Sequence, residues 1–230
     1  MFGFSEMELE ALQVSLKVSL WSLLWTMPVA ITCAWALARK DFPGKALLNA
    51  LIHIPLVVPP VVIGYLLLVL LGRQGVVGIW LYDWFSISLV FTWQGAAVAA
   101  SVVAFPLFVR PVRQALETVD PRLDEAALTL GANKRQAFFA VTLPIVMPGV
   151  FTGALLFFSR ALGEFGATIT FAASIPGESQ TLPLALYTAT QTPGGDPLAM
   201  RLVILSLLLA AGALVLSEWL VRRTQTLRRG

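Results

Sequence analysis

The chain has 230 residues, of which 57% are apolar and 13% are charged, and its formal net charge is +3. Soluble proteins carry about 25% charged residues, so this composition excludes a soluble globular domain and predicts an integral membrane protein. One cysteine and one histidine exclude an internal disulfide and a histidine-based metal centre. We therefore expect no metal site.

Five apolar stretches are long enough to cross the bilayer, which needs about 20 apolar residues in a helix. The predicted spans cover residues 18–38, 46–71, 87–109, 145–173 and 202–221. Residues 1–10 contain three acids and lack the basic region of a signal peptide, so the first span is expected to be retained. Residues 182–190 are too few to cross and predict an interfacial or re-entrant helix, although a sixth span remains possible. The sequence thus predicts an all-α polytopic helix bundle.

The second predicted span contains Pro55, Pro59 and Pro60. Each proline removes a backbone donor and clashes with the preceding turn, so this span is expected to be kinked or broken. Unpaired carbonyls are costly in lipid, and the break should therefore face protein or a water-filled path. Pro59 and Pro60 are candidates for a bent pathway helix.

Residues between the third and fourth spans predict two short helices. Asp120 and Pro121 are typical of a helix start, with the aspartate as N-cap and the proline at the first helical position. Gly131 is typical of a helix end and allows the chain to reverse into a second helix over residues 133–141. We expect this pair of helices to be exposed.

Basic residues predict the orientation of the bundle. The first loop, the segment between the third and fourth spans and the C-terminal tail together hold 12 of the 16 Lys and Arg residues. This distribution predicts an outside N-terminus, with that segment and the C-terminus inside. The basic tail is interpreted as charge that meets lipid head groups, rather than nucleic acid.

One motif in the predicted inside segment indicates a family. The motif consists of Glu125, Ala126 and Ala127, then Gly131, then Leu143 and Pro144. It resembles the E-A-A-x3-G-x9-I-x-L-P coupling loop of the membrane-spanning permeases of ATP-binding-cassette importers, with Val141 in the isoleucine place. The resemblance implies that the first short helix, a cytoplasmic coupling helix, docks into a groove of a separate ATPase subunit through these six residues.

Further stretches narrow the resemblance. Residues 160–167, Arg-Ala-Leu-Gly-Glu-Phe-Gly-Ala, resemble a stretch of molybdate and sulfate permeases, and residues 53–65, 168–171, 175–178 and 191–195 resemble the molybdate branch. The resemblance covers nearly the whole chain and implies one permease domain, residues 1–230, with a coupling segment at about 117–141. It also implies a homodimer in the bacterial inner membrane, an ATPase subunit that uses ATP and Mg²⁺, and an external oxyanion-binding protein.

Several alternatives remain open. Tungstate, or sulfate and thiosulfate, could replace molybdate as the cargo. An ATP-independent secondary transporter or channel would need no partner. The chain itself lacks a P-loop, because Lys45 follows Gly44 but Arg39 stands where the first glycine is needed. We therefore expect no catalytic residue and no cofactor bound by this chain.

The fourth span carries two charges, Arg160 and Glu164. Charges inside a membrane are costly and mark either a pair or a transport path, and the i, i+4 spacing lets these two neutralise each other. They are interpreted as a structural pair at the outer end or a subunit contact, or as a substrate gate. A permeating dianion is best served by neutral donors, because fixed cations would trap it. The candidate hydroxyl groups are those of Thr168, Thr170, Ser174 and Thr181.

Overall fold

The structure is a computed structural model that describes residues 5–226. Eleven helices, α1 to α11, account for most of this part of the chain, and no strand occurs among the residues described. The predicted all-α class is therefore confirmed. Four of the helices are long and apolar enough to cross a membrane, and one bent pair adds a fifth candidate. This agrees with the five predicted spans.

Helix α1, Glu6–Arg39, contains the first predicted span and extends it toward the N-terminus. Its start is fixed by a capping box, in which the Ser5 N–H donates to Glu8 Oε2 at 2.6 Å and the Glu8 N–H donates to Ser5 Oγ at 3.4 Å. At 1.5 Å per residue, its 34 residues extend about 50 Å, well beyond the roughly 30 Å of a hydrocarbon core. Helix α1 is therefore longer than the apolar layer is thick.

The second predicted span is broken, as its prolines predict. Helix α2, Lys45–His53, continues into a 3₁₀ turn at Ile54–Leu56, and helix α3, Pro60–Leu71, begins after the break. The two halves are bent by 113°. Pro59 adopts an extended conformation, with ψ of 134°, and Pro60 occupies the first turn of α3, where its missing N–H costs nothing. A short helix that was not predicted, α4 at Val76–Phe85, follows.

Helix α5, Trp93–Thr118, is the centre of the bundle. It starts later than the predicted third span because the Thr92 side chain caps it, accepting the Gly95 N–H at 3.1 Å. Its alanine-rich face is fully buried in the main apolar core, which it shares with α1. On the other side, Gly153 lies so close to α5 that an added Cβ would be 2.9 Å from the Phe108 carbonyl oxygen. Small residues thus allow these helices to pack closely.

The prediction of one continuous fourth span over residues 145–173 is wrong. After the short helix α6, Pro121–Thr129, the chain enters α7, Lys134–Ala137, a π-turn at Phe138–Thr142 and helix α8, Leu143–Leu162. The second short helix therefore does not end at residue 141 but runs on into the span. The chain then breaks, and helix α9 follows at Gly166–Phe171.

The last two helices close the end of the bundle where α1 begins. Helix α10, Leu182–Gln191, is the short helix predicted for residues 182–190, and helix α11 covers Asp196–Thr226. The Leu182 N–H at the start of α10 donates to Ser15 Oγ of α1 at 2.7 Å. Arg201 Nε of α11 lies 2.8 Å from Glu8 Oε1, whose side chain is fully buried. These contacts tie the two ends of the chain together.

Candidate functional site

The predicted coupling segment forms a helical hairpin, which we define as Pro121–Ala137. Its first helix, α6, begins as expected, since the Asp120 carboxylate accepts the Arg122 N–H at 3.0 Å. Pro121 occupies the first turn. The predicted start of this helix is therefore confirmed.

Gly131 reverses the chain of the hairpin. Its φ is +91°, a left-handed conformation that favours glycine. The Gly131 N–H donates to the Leu128 carbonyl oxygen and the Ala132 N–H to the Ala127 carbonyl oxygen, both at 3.1 Å, which is the Schellman pattern. The next helix is capped reciprocally by Asn133 and Gln136, each side-chain oxygen accepting the other residue's N–H at 2.9 Å.

The hairpin presents an open surface. Glu125 and Ala126 are exposed and Ala127 is half-buried. The apolar side chains of Leu123, Leu128 and Leu130 are also exposed, Leu130 to 89%. Apolar groups clustered on a protruding element are typical of a surface that another protein covers.

Leu143 and Pro144, the other two motif residues, do not lie in the hairpin. They begin α8, where the Leu143 N–H donates to the Phe138 carbonyl oxygen across a π-turn. Pro144 supplies no N–H, so the α-helical bonding pattern cannot pass through it. These residues therefore shape the junction that carries the hairpin rather than its exposed surface.

The two half-helices that follow the breaks, α3 and α9, pack directly against each other. A Cβ added at Gly64 would lie 2.6 Å from the Ala167 carbonyl oxygen and 2.9 Å from Thr170 Cβ. A Cβ added at Gly166 would lie 3.0 Å from Pro60 Cβ. Glycine is thus required for this close approach, and it brings the proline break of α3 to the start of α9. We call this contact the α3–α9 crossing.

Glu164 holds the second break in place. Its side chain is 1% exposed, and Oε2 lies 2.5 Å from Arg160 Nη1. Its other oxygen, Oε1, accepts the Ala167 N–H at 2.8 Å, in the first turn of α9. The carboxylate therefore neutralises Arg160 and caps the new helix at the same time.

The predicted hydroxyl candidates are divided between two environments. Thr170 is half-buried at the α3–α9 crossing, and its Oγ1 donates to the Gly166 carbonyl oxygen at 2.9 Å. Ser174 is half-buried and accepts from Gln180 Nε2 at 3.1 Å. Thr168 and Thr181 are 1% and 4% exposed, so both lie inside the protomer. Of the two candidate prolines, Pro59 is exposed and Pro60 half-buried.

Sequence reasoning missed several residues of this architecture. Gly64 and Gly166 stand in the stretches quoted above, but each packs against residues about a hundred positions away in the chain. One sequence does not reveal such contacts. The ion pair of Glu8 with Arg201 likewise joins residues distant in sequence. The sequence did contain a signal for Glu8, because Ser5 and Glu8 have the spacing of a capping box.

Comparisons with known proteins agree on one family. The family model described as "Binding-protein-dependent transport system inner membrane component" matches residues 27–226. The "Molybdenum transport system permease protein ModB" of Escherichia coli strain K12 is 55% identical over 215 residues, which cover 94% of each chain. The protein of the same name from Haemophilus influenzae is 53% identical over 219 residues, 95% of this chain and 96% of its own.

A solved structure shares the fold. It is that of a bacterial ABC transporter involved in the import of the acidic polysaccharide alginate, and it matches with a TM-score of 0.77 at 18% identity. The match covers 96% of this chain and 80% of the other. At this identity the match is evidence for the fold alone.

Proposed function

The chain belongs to the family of binding-protein-dependent transport system inner membrane components, and we propose that it is the permease subunit of an ATP-binding-cassette importer for molybdate. Molybdate is proposed as the cargo because the chain is 55% identical to a molybdenum permease over 94% of both chains. The hairpin supports transport driven by a separate ATPase, because it is exposed and its helices are capped by residues of the same segment. A permease without an ATPase site needs a surface on which such a partner can act.

The energy source in this proposal is a separate ATPase subunit that binds ATP and Mg²⁺. Glu125, Ala126, Ala127 and Gly131 are proposed to meet it: the glutamate offers a carboxylate, the two alanines allow close approach and the glycine sets the turn. Leu143 and Pro144 act indirectly by fixing the junction between the hairpin and α8. Displacement of the hairpin is then transmitted along α8 to the Glu164 break.

The proposed orientation puts the hairpin inside and the N-terminus outside. Arg39 at the end of α1 and Arg135 of the hairpin line the same cavity, which supports their being at one end of the bundle. The proposed assembly is a homodimer that receives the oxyanion from an external binding protein. The exposed apolar side chains of α3, such as Val61, Tyr65 and Val69, are available for lipid or for a second copy.

The α3–α9 crossing is the proposed gate region. Two broken helices meet there, and small displacements of one move the other because glycine contacts leave no free space between them. Pro59, Pro60 and Thr170 lie on this crossing or at its edge, and Arg160 and Glu164 lie at the break that precedes α9. Thr168 is buried inside the protomer on α9. In this arrangement Arg160 is neutralised by Glu164, so the dianion meets no strong fixed cation.

Reconstitution with the ATPase subunit and the binding protein tests the proposal. Proteoliposomes should accumulate molybdate only with ATP, and Glu125→Lys should abolish accumulation while the protein remains inserted. The control is Asp41→Lys, which makes the same change of charge at an exposed residue outside the hairpin. Equal uptake without ATP would favour a secondary transporter or channel, and uptake of sulfate in preference to molybdate would overturn the cargo. Tungstate has the same charge and nearly the same size and is expected to compete.

A further inference from the structure

A cavity of about 650 Å³ lies beside the hairpin and has no role in the proposed transport path. Its wall is almost entirely apolar. The contributing side chains come from α1, α5, the hairpin and the π-turn with α8, and include Ile31, Trp35, Val112, Leu116, Phe138 and Val146. Thr32 and Trp35 of this wall are exposed, so the cavity opens to the outside of the protomer.

Two cations interrupt the apolar wall of the cavity, Arg39 of α1 and Arg135 of the hairpin. Arg39 Nη2 is buried and has no hydrogen-bond partner in the part of the chain that the structure describes. Neither arginine takes part in an ion pair among those described residues. A buried donor of a charged group that stays unpaired is costly, so this position favours an anionic acceptor.

The rim of the cavity has the composition of a membrane interface. Lys40 Nζ lies 4.8 Å from the centroid of the Trp35 ring, a cation–π contact. Tryptophan and lysine favour the head-group level of a bilayer, where an aromatic ring and a charge are both accommodated. A head group held by the arginines would meet this third cation at the opening.

We propose that this cavity binds an anionic phospholipid of the inner leaflet, with the phosphate held by Arg39 and Arg135 and an acyl chain along the apolar wall. A free oxyanion would satisfy the arginines but leave the apolar wall empty. An uncharged protein segment would fill the wall but leave the Arg39 guanidinium unpaired. Basic pockets between helices on the inner side of a membrane are suited to anionic head groups.

The lipid would have a mechanical role. Leu128 of α6 and Phe138 of the π-turn line the same cavity, so a bound acyl chain connects the hairpin to α1 and α5. Filling the space would stiffen the junction through which the hairpin moves α8. The assignment of leaflet depends on the proposed orientation, whereas binding itself does not.

Native mass spectrometry of the full chain with its ATPase subunit, in detergent, tests the proposal. The probes are phosphatidylglycerol and phosphatidylcholine with identical acyl chains, supplied in equal amounts. Both lipids carry a phosphate, but the choline cation of phosphatidylcholine would be repelled by Arg39, Arg135 and Lys40. We therefore expect a preference of about tenfold for phosphatidylglycerol, the size of effect that one charge interaction gives. Arg39→Gln with Arg135→Gln should remove that preference, whereas Arg110→Gln, an exposed arginine of α5 that does not line the cavity, should retain it.

A second pair of variants tests the acyl chain. Thr32→Trp places a large side chain in the cavity and should lower the binding of both lipids at least severalfold. Val29→Trp, one turn earlier on α1, lines a different cavity and should leave binding unchanged.

Four results would overturn the proposal. They are equal retention of the two lipids by the natural chain, an equal loss in Arg110→Gln, displacement by millimolar phosphate together with no effect of Thr32→Trp, and loss of dimer rather than of lipid in Thr32→Trp. The third would indicate an ion site and the fourth a second copy of the chain. Because binding is measured in micelles without transport, a negative result leaves the proposed importer function standing.

Discussion

The effect of Arg160 on stability and transport depends on Glu164. One oxygen of its buried carboxylate faces Arg160 and the other caps α9. Removing Arg160 and removing the carboxylate therefore have different consequences. Loss of the arginine leaves a buried charge without a counter-charge, which is strongly destabilising, by about 3–5 kcal/mol. Loss of the carboxylate also removes a helix cap, worth about 1 kcal/mol.

Arg160→Ala alone is therefore expected to impair transport and stability more than the double change Arg160→Ala, Glu164→Gln. The glutamine keeps an oxygen for the Ala167 N–H but carries no charge, so it isolates the ion pair from the cap. Uptake in proteoliposomes at matched protein levels and thermal unfolding in detergent are the measurements. If the double variant is no better than the single, the pairing hypothesis fails, and Arg160 must contact the anion or another subunit.

Gly64 is the second residue of interest, and it must be a glycine because it packs against α9, which is distant in sequence. Gly64→Ala places a Cβ within 2.6 Å of a backbone oxygen of α9, which cannot move without shifting the helix. We expect a loss of about 1–3 kcal/mol in the free energy of unfolding and a larger loss of transport. The control is Gly212→Ala in α11, where nothing lies within 4 Å and alanine should be neutral or stabilising by up to about 1 kcal/mol. Equal effects of the two changes would contradict a tight crossing.

At the scale of elements, the sequence predicts those helix boundaries that are set by the residues at the boundary itself. The break of the second span follows from Pro59 and Pro60, because proline restricts the backbone. The hairpin follows from Asp120, whose side chain caps a helix, and from Gly131, which can adopt the left-handed conformation of the turn. The Glu164 break was not predicted, since residues 163–165 contain no proline and the sequence alone does not show that the Glu164 carboxylate accepts the Ala167 N–H. The extension of α7 into α8 was missed because Pro144 widens the helix by a π-turn instead of ending it.

The hairpin is the element whose turn can be tested by itself. Gly131→Pro cannot adopt a φ of +91° and loses the N–H that bonds to Leu128, so the turn should open and the ATPase subunit should no longer co-purify. Gly131→Asn is the matched control, because asparagine tolerates a left-handed conformation and a Cβ there meets nothing within 4 Å. Normal uptake by Gly131→Pro would refute a coupling role for the hairpin.

For the whole molecule, charge and the chain fold support the same orientation. Arg39 at the end of α1 and Arg135 of the hairpin line one cavity, and the contacts of Glu8 with Arg201 and of Ser15 with Leu182 close the opposite end. Asymmetry of this kind orients a bundle, because basic loops stay on the inner side of the membrane. Part of the basic tail lies beyond residue 226, outside the described residues.

Cysteine labelling of intact cells and of inverted vesicles tests this orientation. The exposed residues Ser5 and Gln191 report the outer side, and the exposed Thr129 reports the inner side. The natural Cys33 is first replaced by alanine, since it is half-buried and could react slowly. Cysteines at Ser5 and Gln191 should react in intact cells with a reagent that cannot cross membranes, and a cysteine at Thr129 only in inverted vesicles. Labelling of Thr129→Cys from outside would reverse the bundle and remove the hairpin from the side where ATP is available, and no rearrangement within the protomer could restore the coupling role.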